Sequence, residues 1–593
     1  MKLRSASLIL AILLLLGCAP ARAGEESVLI FIEEGDLWQV ENNALRVAPG
    51  DDAVFTVLME RSVMLTGTDY AGEADIVTDG RIVTLTLKDV RYPTRVKLTV
   101  STKYCTVTYH ANGGTGLTGE ETVSRRYGLS THPRPNTETG AGLFTRESHT
   151  LTGWNTRADG QGTRIGLGSR VTPVNGAVRL YAQWAAWADE ADFDRTEDEE
   201  GITVTGYRGK DEKLAVPAYI GGKPVRTIAA GAFDGCASRE IILPDTIRTV
   251  EDGAFRDCAL TELTLFDSVS QISDDAFTDC PGLTTLRINA IEAPYGYIYR
   301  KESAYADKVE MLLAARGRKK LVFYGGCSMW YNLDAIQADR LFGDEYVIIN
   351  MGLNGTVSSA VQMQIMAPYL EEGDVLFHTP ELSSCQQLML TTELTDNDSS
   401  LWCGLENNYD LFTAVDLKTV SGVFSSLCHY LGMKDRRTDY QQFFSDDYRT
   451  PYLDRYGSVP FYRSGTKKNL GDQVSLDPGL IGKGKLETLA GYYALLRSQG
   501  VRVYVSYACV NMDAVPEEQR DNVAVMDRTF RGRIDEMPGV SLISELNDYL
   551  FRNTDFYDTN YHLCSEPAKA NTAKWMADLS AVLSAKEAAA DEE

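Results

Sequence analysis

Positive charge is in short supply in this chain. Its 58 Lys and Arg are outnumbered by 83 Asp and Glu, for a formal net charge of -25. Nucleic-acid phosphates are met by Lys and Arg clusters, so the balance argues against a nucleic-acid partner and against simple electrostatic docking on anionic lipid. Cysteine is sparse, with 11 in 593 residues, and none forms a CxxC pair. That argues against a disulfide scaffold and a structural zinc site, and no metal or cofactor is expected. Beyond the N-terminus there is no apolar run of about 20 residues, so no membrane span is expected. The Gly-Gly pairs at Gly113-Gly114 and Gly221-Gly222 lie among strand-like residues without a Walker lysine or a helix after them, so they are not phosphate loops.

What is present is ordinary globular composition over a length that implies several domains. The first 23 residues read as a signal peptide. Met1-Lys2-Leu3-Arg4 is basic and Leu8–Leu16 is apolar but too short to span a bilayer. Leu15-Leu16-Gly17-Cys18 resembles a bacterial lipobox, which implies lipidation of Cys18 and a membrane-anchored protein at the cell surface. Cleavage after Ala21-Arg22-Ala23 is the alternative, and either reading implies export.

Residues 25–103 alternate apolar and polar between turn signals such as Pro49-Gly50-Asp51-Asp52, the pattern of a small β-sandwich. Residues 104–184 open on Tyr104–Gly116 with an Asn-Gly-Gly turn, contain Gly153-Trp154-Asn155-Thr156 and close on Tyr181-Ala182-Gln183-Trp184. They resemble the Listeria–Bacteroides repeat of the internalin B-repeat type, which implies a β-grasp-like surface module. Its aromatic residues are expected in the core. An acidic stretch, 185–200, reads as a linker.

Residues 201–290 repeat. Ala232-Phe233 with Cys236 recurs as Ala254-Phe255 with Cys258 and as Ala276-Phe277 with Cys280, a period of 22 residues (254 − 232 and 276 − 254). One short strand per unit at this period means a leucine-rich solenoid. The pattern resembles the BspA-like repeat. Phenylalanines and cysteines are expected to stack in columns, neighbouring cysteines about 5 Å apart. That spacing admits a disulfide, although the small buried hydrophobe is the expectation carried forward.

From 291 to 593, helix-like and strand-like stretches alternate, which predicts an α/β domain with a parallel sheet covered on both faces. Ligands in such sheets sit beyond the carboxyl ends of the strands. The first strand ends in Gly325-Gly326 and hands over to Cys327 and Ser328. Asn350-Met351-Gly352-Leu353-Asn354 follows the second strand and Thr379-Pro380-Glu381 the third. Late in the chain Asp558 precedes His562 by four residues. These blocks resemble the SGNH (GDSL-like) hydrolases, a three-layer, flavodoxin-like α/β fold. The resemblance implies that His562 is the general base and Asp558 orients it, with Asp555 in reserve. It implies that Gly352 and Asn354 stabilise an oxyanion, and it puts the nucleophile at Cys327. The usual serine is displaced to Ser328, so three readings stand: a Cys327 thiolate, a shifted Ser328, or an inactive site. The expected function is an esterase or acyltransferase acting on envelope or host glycan acyl groups, or else adhesion to a glycan or protein ligand through an inactive domain.

Overall fold

The computed structural model describes residues 27–590 apart from 34–37, 41–42, 60–62, 80–81, 103, 117–118, 125–143, 170, 172–176, 292–303, 354–357, 383–391, 406–407, 436–455, 460–462, 466–472 and 482. The signal segment with Cys18, and Asn354, lie outside the described residues. The chain divides into two compact units, one built mainly from residues up to Val107 and the other mainly from Thr108 onward.

In the first unit, strands Asp51–Met59 and Ile82–Val90 pair antiparallel, with Ala74–Asp79 on the far side of the second. The period of two in the sequence sorts their faces. Ala53, Phe55, Val57, Val83, Leu85 and Leu87 are buried, while Val54 between them is 53% exposed. A second small sheet, with Val28–Ile32 between Ala44–Val47 and Thr94–Val96, adds Ile30, Ile32 and Val96 to the same core.

The second unit begins with the aromatic-rich module. Strand His149–Asn155 runs antiparallel to residues 181–186. Trp154 packs edge-on against Tyr109 and Phe144, with centroids 5.2 and 5.1 Å away, so these rings form the module's core. The solenoid follows, with two ladders of parallel strands. One runs through Lys213–Ala215, Glu240–Ile242, Glu262–Phe266 and Thr285–Asn289. The acidic stretch at 185–200 departs from its reading as a linker. Phe193 is buried, and Phe193–Glu197 pairs with Ile202–Tyr207 as the first hairpin of the solenoid. Its charges lie exposed on a 3-10 turn, on the strand and in the hairpin turn.

The period-22 phenylalanines form one stack, Phe233–Phe255–Phe277, with centroids 5.0 and 5.3 Å apart. The stack continues into the C-terminal domain, where the Phe424 ring centroid lies 4.4 Å from that of Phe277. Beside it the Asp274 carboxylate accepts from Phe424 N (3.2 Å) and Ser425 Oγ (2.8 Å). The aromatic module joins the same body where Gly166 N donates to Asp410 Oδ2 at 2.6 Å.

The C-terminal domain is a five-stranded parallel sheet. Its strands are β1 (Lys320–Gly325), β2 (Val347–Asn350), β3 (Val375–Thr379), β4 (Arg502–Val505) and β5 (Val540–Leu542). Their order is β2-β1-β3-β4-β5. β1 and β3 are buried along their whole length, as a sheet covered on both faces requires. The helices used below are α1 (Ala304–Ala314), α2 (Cys327–Asn332), α3 (Val423–Asp435) and α4 (Ser565–Ala590). In this order the chain reverses between β1 and β3, so a crevice opens beyond their carboxyl ends.

Candidate active site

Both sides of that crevice carry chemistry. β1 ends in Gly325 and continues through Gly326 into α2, while β3 ends at Thr379 and continues into Pro380-Glu381. A Cβ at Gly325 would lie 2.9 Å from Thr379 Oγ1, and one at Gly326 would collide with the Glu381 carboxylate. The glycine pair is therefore there for close approach: it lets the start of α2 sit against the exit of β3.

That approach joins Ser328 to Glu381. Ser328 N donates to Glu381 Oε1 at 3.0 Å, and Ser328 Oγ donates to the same oxygen. Both residues are buried. Burial pushes the Glu381 carboxyl up to about 7, against the pull of the two Ser328 hydrogen bonds. Beside it lies a cavity of about 30 Å³, lined by Pro380, Leu382, Cys509 and Tyr561 among others, with room for about one water.

Cys327 is the first residue of α2 and is half-buried. One turn later Tyr331 shares its helix face. The His562 ring lies flat on Tyr331, with centroids 3.7 Å apart and planes 5° from parallel. His562 Nδ1 is 2.7 Å from Asp558 Oδ1. Asp555 is engaged elsewhere, since its carboxylate accepts from Arg552 N at 2.9 Å within a local turn.

The backbone around His562 is held by α2 itself. Asn332 Nδ2 donates to Tyr561 O (2.8 Å) and Asn332 Oδ1 accepts from Leu563 N (2.8 Å), bracketing the histidine. Buried Arg463 adds a second clamp. Its Nε donates to Leu563 O at 3.1 Å, its guanidinium donates to Tyr331 O at 2.5 Å, and its charge lies 5.4 Å from the Tyr331 ring centroid. Burial pulls the Arg463 value down and nearby Asp558 opposes it.

At the β2 exit Gly352 N donates to Asn350 Oδ1 at 2.8 Å, so that N–H is turned back on its own loop. Gly352 O accepts from buried Lys308 of α1, whose ammonium also lies 4.9 Å from the Trp330 ring centroid. The domain thus stacks Tyr331, one turn beyond Cys327, on the His562–Asp558 pair and ties the Ser328 hydroxyl to Glu381. Glu381, Tyr331, Asn332 and Arg463 were not singled out as site residues from sequence. Only Glu381 had a signal, its place at a strand exit. Among the described residues no group of three His, Cys, Asp or Glu side chains could hold a metal ion, and no helix is long and apolar enough to cross a membrane.

Known families account for the repeats. A BspA-type leucine-rich repeat region matches residues 223–305 in six copies, and a Listeria–Bacteroides repeat domain matches residues 105–183. No curated protein matches the chain. Among solved structures it is similar to the T. pallidum leucine-rich repeat protein, at 25% identity over 17% of this chain and 71% of that one, with a TM-score of 0.14. Both repeat types are typical of bacterial surface proteins, and they suggest a protein of the surface adhesion or scaffold type.

Proposed function

We propose that the chain is an exported surface protein whose C-terminal domain is a thiol-dependent acyl hydrolase or acyltransferase of SGNH type, with the repeats holding it on an envelope or host glycan or a protein ligand. The observation that carries this reading is the His562–Asp558 pair, 2.7 Å apart and stacked on the tyrosine one turn beyond Cys327. Asp558 fixes the ring and favours the imidazolium that forms during turnover. The Cys327 proton passes to His562 Nε2, and the thiolate attacks the acyl carbonyl. The leaving alcohol then takes that proton, and water or a second alcohol resolves the thioester. Glu381 occupies the Ser328 hydroxyl, which leaves Cys327 as the nucleophile. Lipid anchoring through Cys18 belongs to the same proposal.

The test is turnover of p-nitrophenyl acetate by the full chain. The reading expects His562→Ala and Asp558→Asn each to lower kcat/KM by at least about a hundred-fold. Equal rates for wild type and both variants would overturn it.

A second reading has its own support. The Gly352 N–H is spent on Asn350, and Ser328 is spent on Glu381. In that reading the domain is an inactive hydrolase fold serving contact, and no ester is turned over by any form.

A further inference from the structure

The solenoid's cysteine column is an ordered array of thiols. The turns that carry it are locked in register. Gly235 N donates to Arg256 O (2.9 Å), Ala259 N to Cys236 O (2.9 Å) and Asp257 N to Thr278 O (3.1 Å). Neighbouring cysteine backbones are therefore one ladder spacing apart, about 4.8 Å. That falls within the roughly 4.4–6.8 Å between Cα atoms that a disulfide spans.

The side chains point the right way as well. Cys258 Sγ donates to Phe233 O at 2.9 Å, and Cys280 Sγ donates to Phe255 O at 2.8 Å. Phe233 O also accepts from Cys236 N at 2.9 Å, so the Cys258 thiol leans back over the turn that holds Cys236. The column has a buried centre, with Cys258 3% exposed, and two half-buried ends. The Cys280 end opens on a surface hollow lined by Arg256, Asp257, Asp279 and Lys418 among others. The reactive thiolates thus belong at the two accessible ends.

We propose that Cys236, Cys258 and Cys280 form a thiol–disulfide exchange site that takes external disulfides at either end and resolves them internally on Cys258. An end thiolate attacks a disulfide RSSR, forming a mixed disulfide and releasing RS⁻. Cys258 loses its proton and attacks the end sulfur, releasing the second RS⁻. The protons of both cysteines leave on two RSH, so two Cys–SH and one RSSR become one Cys–S–S–Cys and two RSH. The third cysteine then stands next to the new bond and can exchange into it, moving the disulfide by one coil. The product staples neighbouring coils. This function is separate from the acyl site and rests on none of its residues.

The test treats the reduced full chain, carrying Cys327→Ala, with dithiodipyridine and maps the disulfides by mass spectrometry. The expected product is an internal link from Cys258 to Cys236 or to Cys280. Two single-end variants keep the question open to failure if a core variant does not fold. Cys236→Ala should retain the 258–280 link and Cys280→Ala the 236–258 link. Cys258→Ala should hold the reagent as stable mixed disulfides at the ends, with a lifetime at least ten-fold longer than in the parent. Unreacted thiols in the folded chain, or mixed disulfides equally long-lived with and without Cys258, would overturn the proposal.

Discussion

Ser328 gives both its N–H and its hydroxyl to one oxygen, Oε1 of Glu381. A hydroxyl that donates to a buried carboxyl group is not the one handing its proton to a histidine. Ser328→Ala should therefore leave ester turnover within about three-fold of wild type. Above pH 7, where Glu381 is ionised, it should cost roughly 1.5–3 kcal/mol of stability, the range for a hydrogen bond to a charged group. Turnover and chemical denaturation, measured on the same preparation, separate the two effects.

Glu381 gives the site a pH signature. Its folded value is about 7 and its ordinary value 4.5, so between those pH values the folded chain holds a proton that the unfolded chain has lost. The stability contributed by this group is full below about pH 4.5, declines as pH rises toward 7 and is flat above. At about 1.4 kcal/mol per pKa unit the swing is roughly 3 kcal/mol. Glu381→Gln should remove that slope. The check is denaturant unfolding of wild type and variant at several values between pH 4.5 and 8, read as the difference between the two curves.

The phenylalanine column should be the most mutation-sensitive feature of the repeats. Phe255 is fully buried between two rings, and Phe255→Ala should cost about 3–5 kcal/mol. The measurement is the equilibrium unfolding midpoint. A loss under about 1 kcal/mol would mean that the coils do not depend on the stack.

Asp274 caps α3 from outside the C-terminal domain. A fragment that starts at Ile291 leaves the start of α3 uncapped and exposes Phe424, which otherwise rests on Phe277. Such a fragment should melt below one that starts at Tyr104. Asp274→Ala in the longer fragment should reproduce about 1 kcal/mol of the difference. Calorimetry of the three proteins decides it.

Much of this architecture was legible in the sequence because periodicity reports it directly. The period of 22 placed Phe233, Phe255 and Phe277 in one column, and the βα alternation announced the parallel sheet. The blocks at Cys327 and His562 were legible as strand exits and turns. Their mutual supports were not. Asn332 brackets His562 across 229 and 231 residues of sequence, and Arg463 reaches Leu563 across 100. Contacts at that separation leave no local pattern. The acidic stretch around Phe193 reads as a linker because composition reports its many exposed charges and hides the one buried ring that anchors it.

The most direct test of the acyl-site account is to trap the intermediate. Full-length protein is mixed with p-nitrophenyl acetate, quenched in acid within a turnover and mapped by peptide mass spectrometry. The account requires an acetyl thioester on Cys327 that is absent in Cys327→Ala. An acetyl ester on Ser328, or no acetyl group on either residue, would contradict it.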